Sequence, residues 1–164
     1  MRGGLVWIST AVFILFSGAH STAFAQTALK LPSPQPFSSL GYDHIKTKYG
    51  VRVYKHRKSA IIKLGADGVI RAPPADVSRF LLDYGKQIGV IDRLVRARVL
   101  SRRGKTLRVY QRLDLPWISD RDFTLDVRWG KSGSAHWIRY RADPRGPGGK
   151  KGAVHVKTHH GRWL

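Results

Sequence analysis

Leu113 to Trp129 reads LDLPWISDRDFTLDVRW. A basic strand ends at Leu113, a proline-bearing turn follows at Pro116, and Arg121-Asp122 opens a new strand. Side chains alternate across a strand with period two. Phe123, Leu125, Val127 and Trp129 therefore share one face, and Thr124, Asp126 and Arg128 the other. Arg121 falls on the apolar side by the same parity. A guanidinium at the mouth of an apolar face requires partners if it is buried.

The flanking sequence extends this pattern. Leu107, Val109, Gln111 and Leu113 share one parity on the preceding strand, and Arg102-Arg-Gly-Lys105 supplies a hairpin turn before it. Upstream, Pro74 to Tyr84 predicts a helix, with proline at its first position and Gly85 as its stop. Val77, Phe80, Leu81 and Tyr84 form its apolar stripe at i, i+3, i+4, i+7. Gly50–Tyr54, Ala60–Leu64, Gly68–Ala72, Val95–Leu100, His136–Ala142 and Val154–Thr158 read as strands. Pro144 to Lys151 reads as a long loop. A strand-rich chain with one amphipathic helix implies an α+β domain: a curved antiparallel sheet packed on helix.

The ordered series resembles the START domains, lipid-transfer modules of the helix-grip superfamily. The proline-turn-Arg121-Asp122-aromatic segment carries the resemblance most specifically, and the likeness spans roughly Tyr42 to Leu164. It departs at Ile91-Asp92, where the family usually carries Trp-Asp. It departs again at Leu164, where the family continues into a last strand and a long C-terminal helix. The resemblance therefore implies a helix-grip START-like fold lacking those two elements, from a truncated reading of a longer gene or a decayed copy. It also implies a tunnel for one hydrophobic molecule, with Leu107, Val109, Phe123, Leu125 and Val127 lining it. Arg121 and Gln111 would orient the ligand's polar end. From composition alone the same residues read as an ordinary core with Gln111 and Arg121 at its rim. In several family members the matching arginine pairs with a carboxylate across the cavity, and the hairpin from Arg93 to Arg112 offers none.

Residues 1–25 read as a secretory signal: Arg2, an apolar run from Leu5 to Phe16, then Ala23-Phe24-Ala25 as a cleavage site. That run is shorter than the ~20 residues that span a bilayer; the rival reading is an uncleaved anchor. Export and cleavage after Ala25 make the mature protein periplasmic or secreted. Residues 26–41 read as a Pro/Ser-rich linker and 42–164 as the domain.

The chain of 164 residues carries 30 Lys and Arg against 10 acidic residues, a formal charge of +20. It has no cysteine, which removes disulfides and thiolate chemistry. Arg96, Arg98, Arg102, Arg103, Lys105, Arg108 and Arg112 concentrate on one hairpin. Of these, Arg96, Arg98, Arg108 and Arg112 are the ones that alternate against apolar residues, which places the hairpin's charge on a solvent face suited to an anionic membrane surface. Nucleic acid is not an expected partner, because the chain shows no recognition helix, zinc finger or RNP-like motif.

His155, His159 and His160 cluster late in the chain, but adjacent histidines on a strand point apart, and no metal site is expected. His155, between Val154 and Val156, is expected to face outward. There is no nucleophile elbow, zinc-protease motif or phosphate loop, so no catalytic residue and no cofactor is assigned. The sequence reads as an exported carrier of a lipid or other hydrophobic small molecule, working by equilibrium binding rather than catalysis. A superfamily enzyme of cyclase or hydrolase type, and a basic envelope-binding protein without a cavity, are the alternatives.

Overall fold

The computed structural model describes residues 4–9, 37–149 and 152–164. The expected cleavage site at Ala25 and most of the Pro/Ser-rich segment lie outside them. The end of that segment, Phe37–Leu40, turns as a 3-10 helix whose Phe37 is buried and stacked on Tyr54.

The described residues form one sheet of ten strands. These are β1 (Gly4–Ser9), β2 (Tyr42–Lys48), β3 (Val51–His56), β4 (Leu64–Ile70), β5 (Leu94–Arg103), β6 (Thr106–Leu113), β7 (Asp120–Ser132), β8 (Ala135–Ala142), β9 (Ala153–His155) and β10 (His160–Trp163). Along the sheet they run β2-β3-β4-β1-β10-β8-β7-β6-β5, with β9 beside the start of β7. Every pairing is antiparallel except β7 with β9. Helix α1 (Pro74–Leu82) and the 3-10 turn Tyr84–Gln87 connect the two halves.

Alternation on β6 and β7 sets the core. Leu107, Val109, Phe123, Leu125 and Val127 are buried together with Tyr84, Ile138, Ala142 and Val156. Register places Leu107 opposite Val127, Val109 opposite Leu125, and Gln111 opposite Phe123. Full burial of each large apolar side chain is worth about 1.5–3 kcal/mol, so this cluster outweighs any single surface ion pair. Leu81, Leu82, Trp129, Tyr140 and Trp163 close around its margin.

Local departures from the sequence reading have physical causes. The helix ends at Leu82, before Gly85: the Asp83 N–H turns back to the Phe80 carbonyl, and Tyr84 swings into the core. β2 went unpredicted because it is polar and almost wholly exposed. The predicted strand Ala60–Leu64 is loop up to Leu64, closed by the His56 N–H on the Lys63 carbonyl. Val154–Thr158 keeps strand form only to His155, and Gly161–Trp163 belongs to β10 against β8. The hairpin turn is as read, with Gly104 at φ 51°.

At the far end of the sheet Asp67, buried on β4, takes two bonds from its register partner Arg52, at 2.6 and 3.0 Å. The Tyr54 hydroxyl adds a third at 3.1 Å. This bidentate pair fastens β3 to β4.

Candidate functional site

The residues expected to line a ligand site do converge. Leu107, Val109, Phe123, Leu125 and Val127 form a continuous buried apolar surface on the inner face of β6 and β7. Gln111 lies at its end, also buried, and its Nε2 donates to Gln87 Oε1 at 3.4 Å. Gln87 Nε2 in turn donates to the Leu81 carbonyl at 2.9 Å. This chain of amides ties sheet to helix, and it supplies the main polar function adjoining the apolar face. Gln87 carries no signal in the sequence, because its burial depends on the 3-10 turn after α1. Tyr84 sits beside it in the core, where burial pushes its phenol well above the ordinary tyrosine range.

Arg121 stands apart from that chain. Opposite Leu113 and half-buried, it donates from Nη1 to the carbonyls of Ser119 at 2.5 Å and Asp120 at 3.3 Å. Its guanidinium braces the turn into β7.

Asp122 takes the opposite parity and is 0% exposed. It accepts from the Tyr110 hydroxyl at 3.2 Å and the Gly149 N–H at 3.0 Å, and lies 2.8 Å from His155 Nδ1. His155 therefore does not face solvent as its alternation suggested. The parallel pairing of β9 with β7 turns it onto Asp122 beneath the loop after β8. Thr124 donates to the Pro147 carbonyl at 2.7 Å, holding the same loop down. The Asp122–His155 pair lies on the outer face of the sheet, across the strand from the apolar cluster, and anchors that loop.

The basic hairpin is only partly a free charge surface. Arg108 reaches Asp126 at 3.1 Å and Asp143 at 2.8 Å, and Arg112 reaches Asp120 at 2.6 Å. The carboxylates missing from the hairpin's own sequence come from β7 and the loop after β8. Register shifts between Leu94 and Arg96, and between Val99 and Ser101, alter the hairpin's parity. Arg102 consequently pairs with Leu107 and lies over the Trp129 ring at 5.7 Å, a cation–π contact, instead of joining the outer row. Arg96, Arg98, Arg103 and Lys105 are exposed.

An apolar tip passed over by the sequence reading lies at the opposite end of the hairpin. Trp117 is 99% exposed, with a left-handed φ of 73°, and Ile118 is exposed beside it. Ile88, Val90 and Ile91, also exposed, precede β5 at the same end, where the Asp114 N–H bonds the Arg93 carbonyl and joins the two loops. The aromatic was legible in the sequence; its exposure was not, since a tryptophan beside proline is equally compatible with a core position.

No family model matches the sequence, and no curated protein does. Solved structures do. A STAR-related lipid transfer protein from Xanthomonas axonopodis superposes with a TM-score of 0.69 at 22% identity, over 75% of this chain and 72% of that one. Human STARD10 superposes with a TM-score of 0.63 at 16% identity, over 85% of this chain and 69% of that one. The mostly antiparallel sheet with its single described α-helix is a START-like fold.

Proposed function

We propose that this protein binds one lipid or other hydrophobic small molecule between the inner face of its sheet and the covering helix, and exchanges it at an anionic membrane. The observation that carries this reading is the continuous apolar face of Leu107, Val109, Phe123, Leu125 and Val127 ending at the Gln111–Gln87 pair, in a fold shared with a lipid transfer protein. A largely apolar pocket with a few convergent polar groups is the usual form of a small-ligand site. The helix-grip arrangement follows from the same reading, with the sheet curving around the ligand and its covering helices.

Helix α1 has no fully buried residue, so it is the least securely seated cover over the inner face. Its displacement is the simplest way for a ligand to enter. Gln111 and the free edge of Arg121 then meet the ligand's polar end. Trp117, Ile118 and the Ile88–Ile91 loop dip into the interface, and Arg96 and Arg98, towards the same end of the hairpin, add attraction to anionic headgroups. Exchange needs no covalent step, and the Asp122–His155 pair serves the loop instead of a substrate. Export with cleavage after Ala25 places this activity in the periplasm or outside the cell.

Native mass spectrometry of the purified protein, followed by lipid extraction, tests the reading: one hydrophobic molecule per chain is expected. Arg121→Ala should weaken ligand binding about tenfold or more if it contacts a polar headgroup, as one charge-assisted bond is worth ~1.5–3 kcal/mol. Arg108→Ala should leave it unchanged. A chain that never carries a hydrophobic ligand would leave the inner face as a packed core and remove the reading.

A further inference from the structure

Tyr84 places a phenol against the apolar inner face. The chain breaks from α1 at Asp83, and the 3-10 turn that follows delivers the Tyr84 side chain into the cluster of Leu107, Val109, Phe123, Leu125 and Val127. Tyr84 is only 6% exposed. Gln111 and Gln87 beside it are bonded to each other and to the Leu81 carbonyl. The Tyr84 hydroxyl has no hydrogen-bond partner among the described residues. Besides burial, what acts on it is Tyr140, electrostatically and without a hydrogen bond. Tyr140 stands opposite Val127 and Gly161, and its own hydroxyl lies over Gly161, where a side chain would collide with it. The Tyr84 hydroxyl is therefore turned towards β8 within the interface between helix and sheet.

A buried tyrosine hydroxyl normally finds a partner, because leaving it unpaired forfeits its bonds to water. In a site that admits a ligand, the ligand supplies that partner. The charges around Tyr84 limit what it is. Tyr110 feels Arg112 and Arg96, and Tyr54 feels Arg52, but no cation among the described residues acts on Tyr84. A carboxylate or phosphate brought there would be buried without a countercharge, which is costly. The oxygen that fits is uncharged.

We propose that Tyr84 is a second polar subsite within the ligand site, donating its O–H to an uncharged oxygen in the apolar body of the ligand: an ester or ketone carbonyl, or a hydroxyl. This rests on the carrier reading and narrows its ligand to an oxygenated lipid. Such a molecule carries a polar atom inside its hydrocarbon part as well as at the end met by Gln111 and Arg121.

The test is displacement of diphenylhexatriene from the full chain. Stearic acid is compared with stearic acids bearing a hydroxyl or keto group at successive mid-chain carbons. The carboxylate end is common to all, so differences report the inner oxygen. For at least one position, the gain in affinity over stearic acid should be about two- to tenfold greater in the wild type than in Tyr84→Phe, the worth of one neutral hydrogen bond. The keto acid can only accept and should show the effect as fully as the hydroxy acid. Stearic acid itself should bind both chains alike. Tyr49→Phe, at a position 90% exposed, should match the wild type throughout. Ligand-free Tyr84→Phe should melt no lower than the wild type, because the hydroxyl it removes is unpaired. A lower melting temperature would mean that the hydroxyl is satisfied inside the protein. Equal gains in both chains at every position would mean that it meets no ligand. Either result overturns the proposal. If neither the reporter nor any of the acids binds the wild type, the carrier reading itself fails and the subsite falls with it.

Discussion

Asp122 and His155 meet at 2.8 Å where the parallel strand β9 joins β7, with Asp122 wholly buried. The carboxylate gathers polar partners from separate parts of the chain, among them Tyr110 on β6, Gly149 in the loop after β8, and His155. Breaking a buried polar pair by removing one partner costs about 3–5 kcal/mol, because the others lose their bonds without regaining water. Asp122→Ala is therefore expected to destabilise the protein by that amount, read by urea denaturation. Asp126→Ala removes a half-exposed partner of Arg108, which keeps Asp143, and should cost about 1 kcal/mol or less. Equal losses would show that Asp122 does not organise the loop.

Tyr84 gives a pH-dependent signature. Burial raises its folded-state pKa above the unfolded value of about 10, with Tyr140 adding to the shift. Its stabilising contribution is fully present below pH 10 and is lost as pH rises from there through the folded pKa, because only the unfolded chain gains by ionising. At pH 11 this amounts to about 1.4 kcal/mol for one fully suppressed ionisation. Tyr84→Phe should flatten the fall in stability between pH 9.5 and about 11 relative to wild type. Denaturation midpoints across that window measure it, and parallel curves for both chains would assign the loss to other groups.

The parity of Leu107–Leu113 and Arg121–Trp129 decided the inner face, because strand alternation is a local property and both strands are regular. Gln111 was legible on the same grounds, but its partner Gln87 was not, since that contact depends on where α1 stops. His155 was misread because its surroundings come from a loop of Pro and Gly that folds over a distant strand. Gly148 lies directly on the His155 ring, an approach that leaves no room for a Cβ and that no spacing in the sequence reveals. The Arg102 contact with Trp129 was not legible, because bulges shift the register of β5 and a bulge has no periodic signature.

Trp117 separates membrane contact from stability. Fully exposed, it makes little packing contribution, so Trp117→Ala should change unfolding free energy by no more than about 0.5 kcal/mol. Burying a large aromatic side chain at an interface is worth about 1.5–3 kcal/mol, so the same change should weaken partitioning onto anionic vesicles about tenfold or more. Trp117→Gly also suits the left-handed φ at this position and should bind just as weakly without losing stability. Vesicle sedimentation and melting curves on the same preparations check both. Undiminished binding by the two variants would place membrane contact elsewhere on the surface.

The final prediction concerns β1, which occupies an inner position in the sheet yet lies within the segment proposed to be removed on export. Its backbone pairs Gly4 with Ile70 through Ile8 with Ala66 on one side, and Ile8 and Ser9 with Trp163 and Arg162 on the other. Cleavage after Ala25 takes that strand away and leaves β4 and β10 with unpaired edges facing one another. Unpaired edges exchange their amides with solvent and recruit other strands. Hydrogen exchange on the full chain and on a chain beginning at Gln26 should therefore differ in one place. Amides of Leu64–Ile70 and His160–Trp163 should exchange much faster in the shorter chain, while Leu107–Leu113 and Phe123–Val127 keep their protection. The shorter chain should also self-associate more strongly at high concentration, through the same two edges. Because the natural sequence has no cysteine, a disulfide trapped in the Leu5→Cys, Val69→Cys double variant can come only from those positions, which face each other in the β1–β4 register. Efficient trapping in the full chain, together with local loss of protection after cleavage, would establish β1 as a removable strand. Identical exchange in both chains and no trapping would show that β4 and β10 are closed without it.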